Sequence, residues 1–437
     1  MTMALAVAAG PAKAGPYTEV ASAFDEGDRF DLTFALDYQF AIRRAEIKRE
    51  FSGLTEPPVA PTDPLPVVKD LLFSGNRHVL IPRLELGVFT DLSLSAALPV
   101  VIADSRELEF DGRTSPRIDR NNSTTIVDGL LPANGFDADD VNNGFADGST
   151  IFRGPNRSGL DQIHLGLAWA PMNQSRDDTK PTWKIGAEVR LAIGSPMKLD
   201  RSDPSRENSV GRGVHEIRIW TSMAKRVGWA EPFVEIWWMA PVDTAEDSAF
   251  ADLGFGQNRA NAQQRAGTKF GFQAIAWDNP EDNQRISIDF SARLEAHFEG
   301  RAYTSMWEVF QFAGDASATS TPLVLDGDPV TTGAQPLSHP GVTNVENYLR
   351  FGGRIGLDTM LGETIRFGGA FELLAAQDHL ITYADAGTDS DDAGEIVNTG
   401  TAEVNPAHVP LIDLVGNRYR VEEAIDYIFL VDARVLF

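Results

Sequence analysis

From Arg285 to Glu299 the chain alternates without exception: Arg285, Ser287, Asp289, Ser291, Arg293, Glu295, His297 and Glu299 are polar, and Ile286, Ile288, Phe290, Ala292, Leu294, Ala296 and Phe298 between them are apolar. A period of two is that of an extended strand with one apolar and one charged face. Wound at 3.6 residues per turn, the segment would carry Arg293 and His297 into the Ile286/Phe290 stripe, which disfavours a helix. The same alternation runs through Phe30, Leu32, Phe34, Leu36, Tyr38, Phe40 and Ile42, and through Trp183, Ile185, Ala187, Val189, Leu191 and Ile193. Weaker copies span about 77–90, 92–104, 159–171, 212–227, 230–242, 265–278, 344–358, 363–379 and 420–437, so the pattern predicts twelve strands.

The connections between them sort into two kinds. Short ones (Thr90-Asp91, 228–231, 278–282, 358–363) alternate with long polar ones at about 51–76, 105–158, 195–211, 243–264, 300–343 and 380–419; 171–181 is intermediate and falls on the short side. Soluble sandwiches rarely sort loops this way, whereas transmembrane barrels put short turns in the periplasm and long loops outside. The expectation is an all-β fold, a closed antiparallel transmembrane β-barrel of about twelve strands, an even count with both termini on the short-turn side. Closure leaves no edge strand, and strands of about 12 to 18 residues suit a tilted crossing.

Composition agrees. No stretch approaches the ~18 to 20 apolar residues of a membrane helix, but alternation hides a spanning strand from hydropathy. With 38 Lys+Arg against 63 Asp+Glu the net charge is −25 over 437 residues, which argues against nucleic acid as a partner. Cysteine is absent, which removes disulfides, thiolate metal sites and Cys nucleophiles. Residues 1–14 read as the remnant of a signal peptide ending in the small-x-small Ala12-Lys13-Ala14, without a basic start, or else as an Ala/Gly tail. On the first reading 15–28 is a periplasmic N-terminal segment and 29–437 is the barrel.

Trp169, Trp183, Trp229 and Trp277 fall near proposed periplasmic turns, as an interfacial girdle requires. Asp161, Asn347, Gln377 and Glu423, the polar exceptions on the apolar faces, fall at long-loop ends, which keeps charge out of the hydrocarbon band. The chain closes on Tyr427, Phe429, Val431, Ala433, Val435 and Phe437 at alternate positions. This resembles the C-terminal signal strand of Gram-negative outer-membrane β-barrels, which ends in an aromatic residue. The resemblance implies residence in outer-membrane lipid and recognition of Phe437 by the barrel-assembly machinery.

Inverting the apolar faces places a mixed-charge set on the lumen side: Arg83, Glu85, Lys184, Glu188, Arg190, Glu216, Arg218, Arg285, Asp289, Arg293, Glu295, Arg350, Arg354, Arg366, Glu372, Asp426, Asp432 and Arg434. These residues either line a hydrated path whose charges orient a passing solute, or fill a narrow interior with salt bridges. The 105–158 loop either folds inward to constrict the lumen or extends outward as a binding surface. In 300–343, Ser305 and Glu308 ahead of Val309 and Phe310 have the spacing of a capping box.

Asp137, Asp139, Asp140 and Asn142, or Asp389, Asp391 and Asp392, suggest calcium; neither run matches the EF-hand loop, and a solvated acidic loop explains them better. No metal or other cofactor is expected. The seven histidines form no catalytic set, no H-E-x-x-H or G-x-S-x-G occurs, and His297 between Glu295 and Glu299 is the one suggestive cluster. The reading is an outer-membrane channel for passive transport of small hydrophilic solutes or ions, not an enzyme. The alternatives are a closed barrel acting as an anchor or binding module through loops 105–158 and 300–343, and a membrane-embedded hydrolase.

Overall fold

A computed structural model describes residues 17–24, 30–50, 67–113, 117–319, 321–390 and 397–437. The signal-peptide reading, most of the 51–76 connection, and Asp391 and Asp392 lie outside these residues.

Twelve strands close on themselves: β1 Leu32–Glu50, β2 Val67–Phe89, β3 Leu92–Ala97 continued by Val100–Phe110, β4 Gln162–Met172, β5 Thr182–Ala192, β6 Val214–Ala224, β7 Ala230–Thr244, β8 Arg265–Asn279, β9 Gln284–His297, β10 Tyr348–Leu361, β11 Ile365–Ala376 and β12 Tyr419–Leu436. Each pairs antiparallel with the next, and β12 returns to β1 with Thr33 opposite Leu436 and Arg49 opposite Tyr419. Every spanning N–H and C=O therefore has a partner strand, as hydrocarbon demands. The break in β3 falls at Leu98-Pro99, where proline has no N–H to give and Leu98 donates to Pro82 O at 3.1 Å.

The short turns use the backbone geometry that tight hairpins need. Asp91, Gly228, Asn283 and Gly362 each take positive φ, between 53° and 72°, a region open to Gly and accessible to Asn and Asp. Neighbouring turns are tied laterally: Asn173 Nδ2 and Arg176 Nε both reach Asp91 at 2.6 Å, Arg226 reaches Asp278 at 2.6 Å, and Asn283 reaches Glu363 at 2.8 Å.

Above the lipid the pattern inverts. In the upper parts of β1 and β2, Ile47, Leu71 and Phe73 are buried inward while Lys48 and Lys69 pair with Glu46. The strands therefore run past the limits that the lipid-facing alternation predicts, β2 beginning at Val67 rather than near 77. What these inward residues meet is a hydrophobic core built from the long loops: Leu130, Leu131, Phe136 and Phe152 from 111–156, Met306, Val309 and Phe310 from 298–347, and Val409 and Ile412 from 377–418. Short helices α1 Thr124–Val127, α2 Trp307–Ala313 and α3 Pro410–Asp413 belong to this cap. Asp70, fully buried, fastens α1 by accepting from the N–H and Oγ1 of both Thr124 and Thr125, at 2.7 to 3.2 Å.

Candidate functional site in the barrel lumen

Parity along each strand decides which side chains meet lipid and which meet the interior. On β9, Ile286, Phe290 and Leu294 are exposed outward, while Arg285, Ser287, Asp289, Glu295 and His297 are buried inward. The same division holds on β10, with Leu349, Phe351, Ile355 and Leu357 outward, and on β12, with Phe429 and Val431 outward. Phe351 and Leu357 are each 52% exposed, a cost in water that hydrocarbon removes. Trp169, Trp229 and Trp277 are exposed at the short-turn rim and Trp183 is half-buried there, its Nε1 donating to Thr221 Oγ1 at 2.8 Å. A closed sheet with an apolar belt outside and ion pairs inside has one solvent that suits it. The protein is a transmembrane β-barrel.

The sequence matches no protein-family model and no curated protein. Solved structures of similar shape include the COG4313 outer membrane channel from Pseudomonas putida F1 (9% identity over 97% of this chain and 99% of that one, TM-score 0.42). They also include a Pseudomonas aeruginosa FadL homologue (8%, 93% and 90%, 0.32) and the outer membrane protease OmpT from Escherichia coli (6%, 93% and 97%, 0.25).

Inside this barrel the charged residues engage along the wall, within a strand, between adjacent strands and between strands two apart. Arg293 of β9 pairs with Glu295 and reaches Glu372 of β11 at 3.4 Å; Arg350 of β10 reaches Glu295 at 3.2 Å and pairs with Asp426 of β12. Glu216 takes Arg212 at 2.9 Å and Arg265 at 2.7 Å. Arg218 holds Glu235 at 2.5 Å, Arg190 holds Glu188 at 2.6 Å and Arg434 holds Asp432 at 2.9 Å. Arg83 pairs with Asp37 at 2.6 Å, and Glu85 accepts from Ser93 Oγ at 2.8 Å. Arg354 lies 3.9 Å from Asp289, and the buried Arg285 lies 4.0 Å from Asp278. His297 stacks on Tyr348, which stacks on His379 at 3.8 Å between centroids.

Two segments cross this interior. At the periplasmic end residues 17–23 run over the lumen. The Tyr17 hydroxyl donates to Asp289 Oδ2 at 2.6 Å and its ring stacks on Phe233 at 3.7 Å. Thr18 N donates to Glu231 Oε1 at 2.9 Å, the Glu19 carboxylate takes Arg366 (2.6 Å from Nη2), Lys184 donates to the Glu19 carbonyl, and Ser22 Oγ accepts from Asp91 N at 3.0 Å. At the other end α2 is inserted, with Trp307, Val309 and Phe310 almost wholly buried. The spacing of Ser305 and Glu308 does produce a helix, but not a capping box: Met306 is the N-cap, with no side-chain bond, and Glu308 is drawn instead to Arg157. The charge of a buried guanidinium outweighs one cap bond.

Among the described residues, two cavities lie in the lumen. The lower, about 400 Å³, is lined by Glu19, Arg83, Glu85, Lys184, Glu188, Trp220, Arg366 and Arg434 among others. The upper, about 330 Å³, lies between the wall and the loop leading to α2, against Arg43, Arg77, Arg106, Arg212, Tyr303 and Tyr348. Sequence reasoning missed Arg43, Arg77, Trp220, Phe233, Trp237 and Lys269, all of which share inward parity with residues it assigned. Tyr17 carries no such signal, since it precedes the first strand.

In the cap, Asp137 is held by Arg153 at 3.1 Å, and Asp140 accepts from Asn143. Among the described residues no group of three or more acidic or histidine side chains is arranged to hold a metal ion. His339, buried against Gly314, accepts from Gly341 N at 2.9 Å, and burial pushes its pKa down to about 3.

Proposed function

We propose that the barrel is a channel carrying small hydrophilic solutes or ions passively across the outer membrane. The observation that carries this reading is the pair of cavities, about 330 and 400 Å³, stacked along a charged wall between two inserted segments. A lumen meant only to be filled would bury its ion pairs without leaving room beside them. The inserted segments make the path narrow and gated, and the acidic exterior raises cation concentration at its mouth. Single-channel recording of the purified protein in a planar bilayer under a salt gradient tests this: small open steps with mild cation preference support it, and a folded but silent barrel overturns it.

A second reading, an anchor presenting a binding surface, draws support from the core shared by loops 111–156, 298–347 and 377–418, which gives the cap a rigid outer face. A silent barrel whose cap resists protease favours it. Phe437, whose backbone pairs with Leu32 while the residue stays 68% exposed, is proposed as the residue the assembly machinery reads. Phe437→Ala is expected to lower the folded yield in the outer membrane, and an unchanged yield removes that role.

A further inference from the structure

We propose that the upper lumen cavity is a binding site for a small organic monocarboxylate with an apolar body, held by Arg43 and Arg77; the proposal rests on the channel reading and names its solute class. The two arginines are diagonal neighbours on the inner face of β1 and β2, where Ala41 stands opposite Arg77 and Arg43 opposite Gly75. On the other edge of each strand a carboxylate does stand opposite, Asp426 of β12 across from Arg43 and Asp104 of β3 across from Arg77, but each acid is shared with a second, closer arginine.

Other guanidinium groups of this cavity are engaged. Arg106 reaches Asp104 at 3.2 Å, and Arg212 reaches Asp161 at 2.9 Å and Glu216 at 2.9 Å. Arg43 comes no nearer to an acid than 4.0 Å from Asp426, whose other oxygen pairs with Arg350, and its buried Nε has no partner. Arg77 comes no nearer than 3.6 Å from Asp104, which Arg106 already holds. Their side chains stay 35% and 41% exposed, so a solute in the cavity can reach them.

Two under-coordinated guanidinium groups facing one space are a receptor for a planar oxyanion, because each offers paired donors matched to a carboxylate. Asp104 and Asp426 stand close behind them and would repel a second negative charge, which selects a monoanion. The rest of the lining includes Phe73, Val345, Ile381 and Val421, so the body of the ligand is apolar. The volume, about 330 Å³, suits a single small molecule.

The test is calorimetric titration of the full chain, folded in detergent micelles, with benzoate, benzyl alcohol and inorganic phosphate. It is applied also to R43Q and R77Q after circular dichroism has confirmed strand content. Saturable benzoate binding, absent for benzyl alcohol, weaker for phosphate, and reduced about tenfold or more by each variant is the expected result. Wild-type affinity in both variants, phosphate binding as tightly as benzoate, or no benzoate binding at all overturns the proposal. Should a glutamine variant fail to fold, R77K keeps the cation and loses the paired donors: intermediate affinity supports the site and unchanged affinity refutes it. Conductance is recorded separately, so a silent barrel that binds benzoate rejects the channel reading and leaves the site standing.

Discussion

Arg157 and Glu308 form a buried ion pair inside the cap, Nη2 and Nε lying 2.8 and 3.0 Å from the same carboxylate oxygen, with side chains 0% and 4% exposed. The remaining donors of Arg157 go to the carbonyls of Lys198, Glu207 and Ser209, and the Trp307 ring covers its guanidinium at 4.9 Å. One side chain thus fastens α2 to the 193–213 loop. Gly154 makes room for Glu308, since a Cβ there would stand 2.7 Å from its Oε2.

Arg157→Ala leaves Glu308 buried without a counter-charge, a change that costs about 3 to 5 kcal/mol when a buried pair is broken. The expected outcome is faster hydrogen exchange in 307–313 and, on the channel reading, more frequent open steps. Glu308→Gln should do less, because the amide still accepts from Arg157. Unaltered exchange in Arg157→Ala would show that the hydrophobic core alone holds α2.

At the opposite mouth, Tyr17 and Glu19 tie the N-terminal segment to β7, β9 and β11 through Glu231, Asp289 and Arg366. Tyr17→Ala removes the stack on Phe233 and the bond to Asp289 together, and Glu19→Ala removes the partner of Arg366. The double variant is expected to keep its strand content and to conduct more than the wild type. Equal conductance would mean that residues 17–24 do not limit the path.

The spanning part of the fold was legible in the alternation because lipid outside and charge inside give every strand the same polarity. It ceased to be legible where water replaces lipid. Ile47, Leu71 and Phe73 turn inward to meet the loop core, so the rule that locates Ile286 to Phe298 has the wrong sign for 45–50 and 67–76. The lumen charges followed from parity; Arg43 is missing from that reading because the run of inward residues was cut short near Ile42, and Arg77, the first residue of the 77–90 strand, was not assigned although its parity is inward. Their partners were not legible, since pairing between strands one or two apart depends on their relative register. The Arg157–Glu308 clamp joins residues 151 apart, and no local pattern announces it.

The cap should respond to pH in two opposite ways. His339 has a folded pKa of about 3, below its ordinary 6.5, because burial and then Arg301 disfavour the charged ring. Its contribution to stability is complete above about pH 6.5 and is lost as pH falls toward 3, by at most about 1.4 kcal/mol per pH unit. Asp413 is pushed up to about 6 by burial, against the pull of the N–H groups of Val409 and Ala384. Its folded pKa lies above the ordinary 3.8, so its contribution is complete below about pH 4 and is lost as pH rises through 6. Hydrogen exchange should therefore show 298–347 loosening on acidification and 377–418 tightening. His339→Asn should abolish the first trend alone; its persistence in that variant would assign the acid response to another group.

Each of two lumen tryptophans lies opposite a glycine on the neighbouring strand: Trp220 faces Gly186 and Trp237 faces Gly267. The indole covers the bare backbone, an arrangement that repairs the weak β-propensity of glycine. At Gly267 a Cβ would stand 2.7 Å from Trp237 Cζ2 and 2.9 Å from Leu294 O, and the second of these atoms is backbone that cannot swing aside. Arg218 lies over the Trp237 ring at 5.7 Å while holding Glu235, so displacing the indole disturbs an ion pair as well. Gly267→Val is expected to lower stability by about 1 to 3 kcal/mol, the usual cost of overpacking, and to shift the lumen tryptophan fluorescence. Gly267→Val with Trp237→Ala should not recover that loss, because the Leu294 carbonyl still meets the new side chain and truncating a buried indole adds about 3 to 5 kcal/mol of its own. Thermal unfolding of the two variants in the same detergent checks this, and a double variant more stable than Gly267→Val would show that the indole alone is the source of the strain.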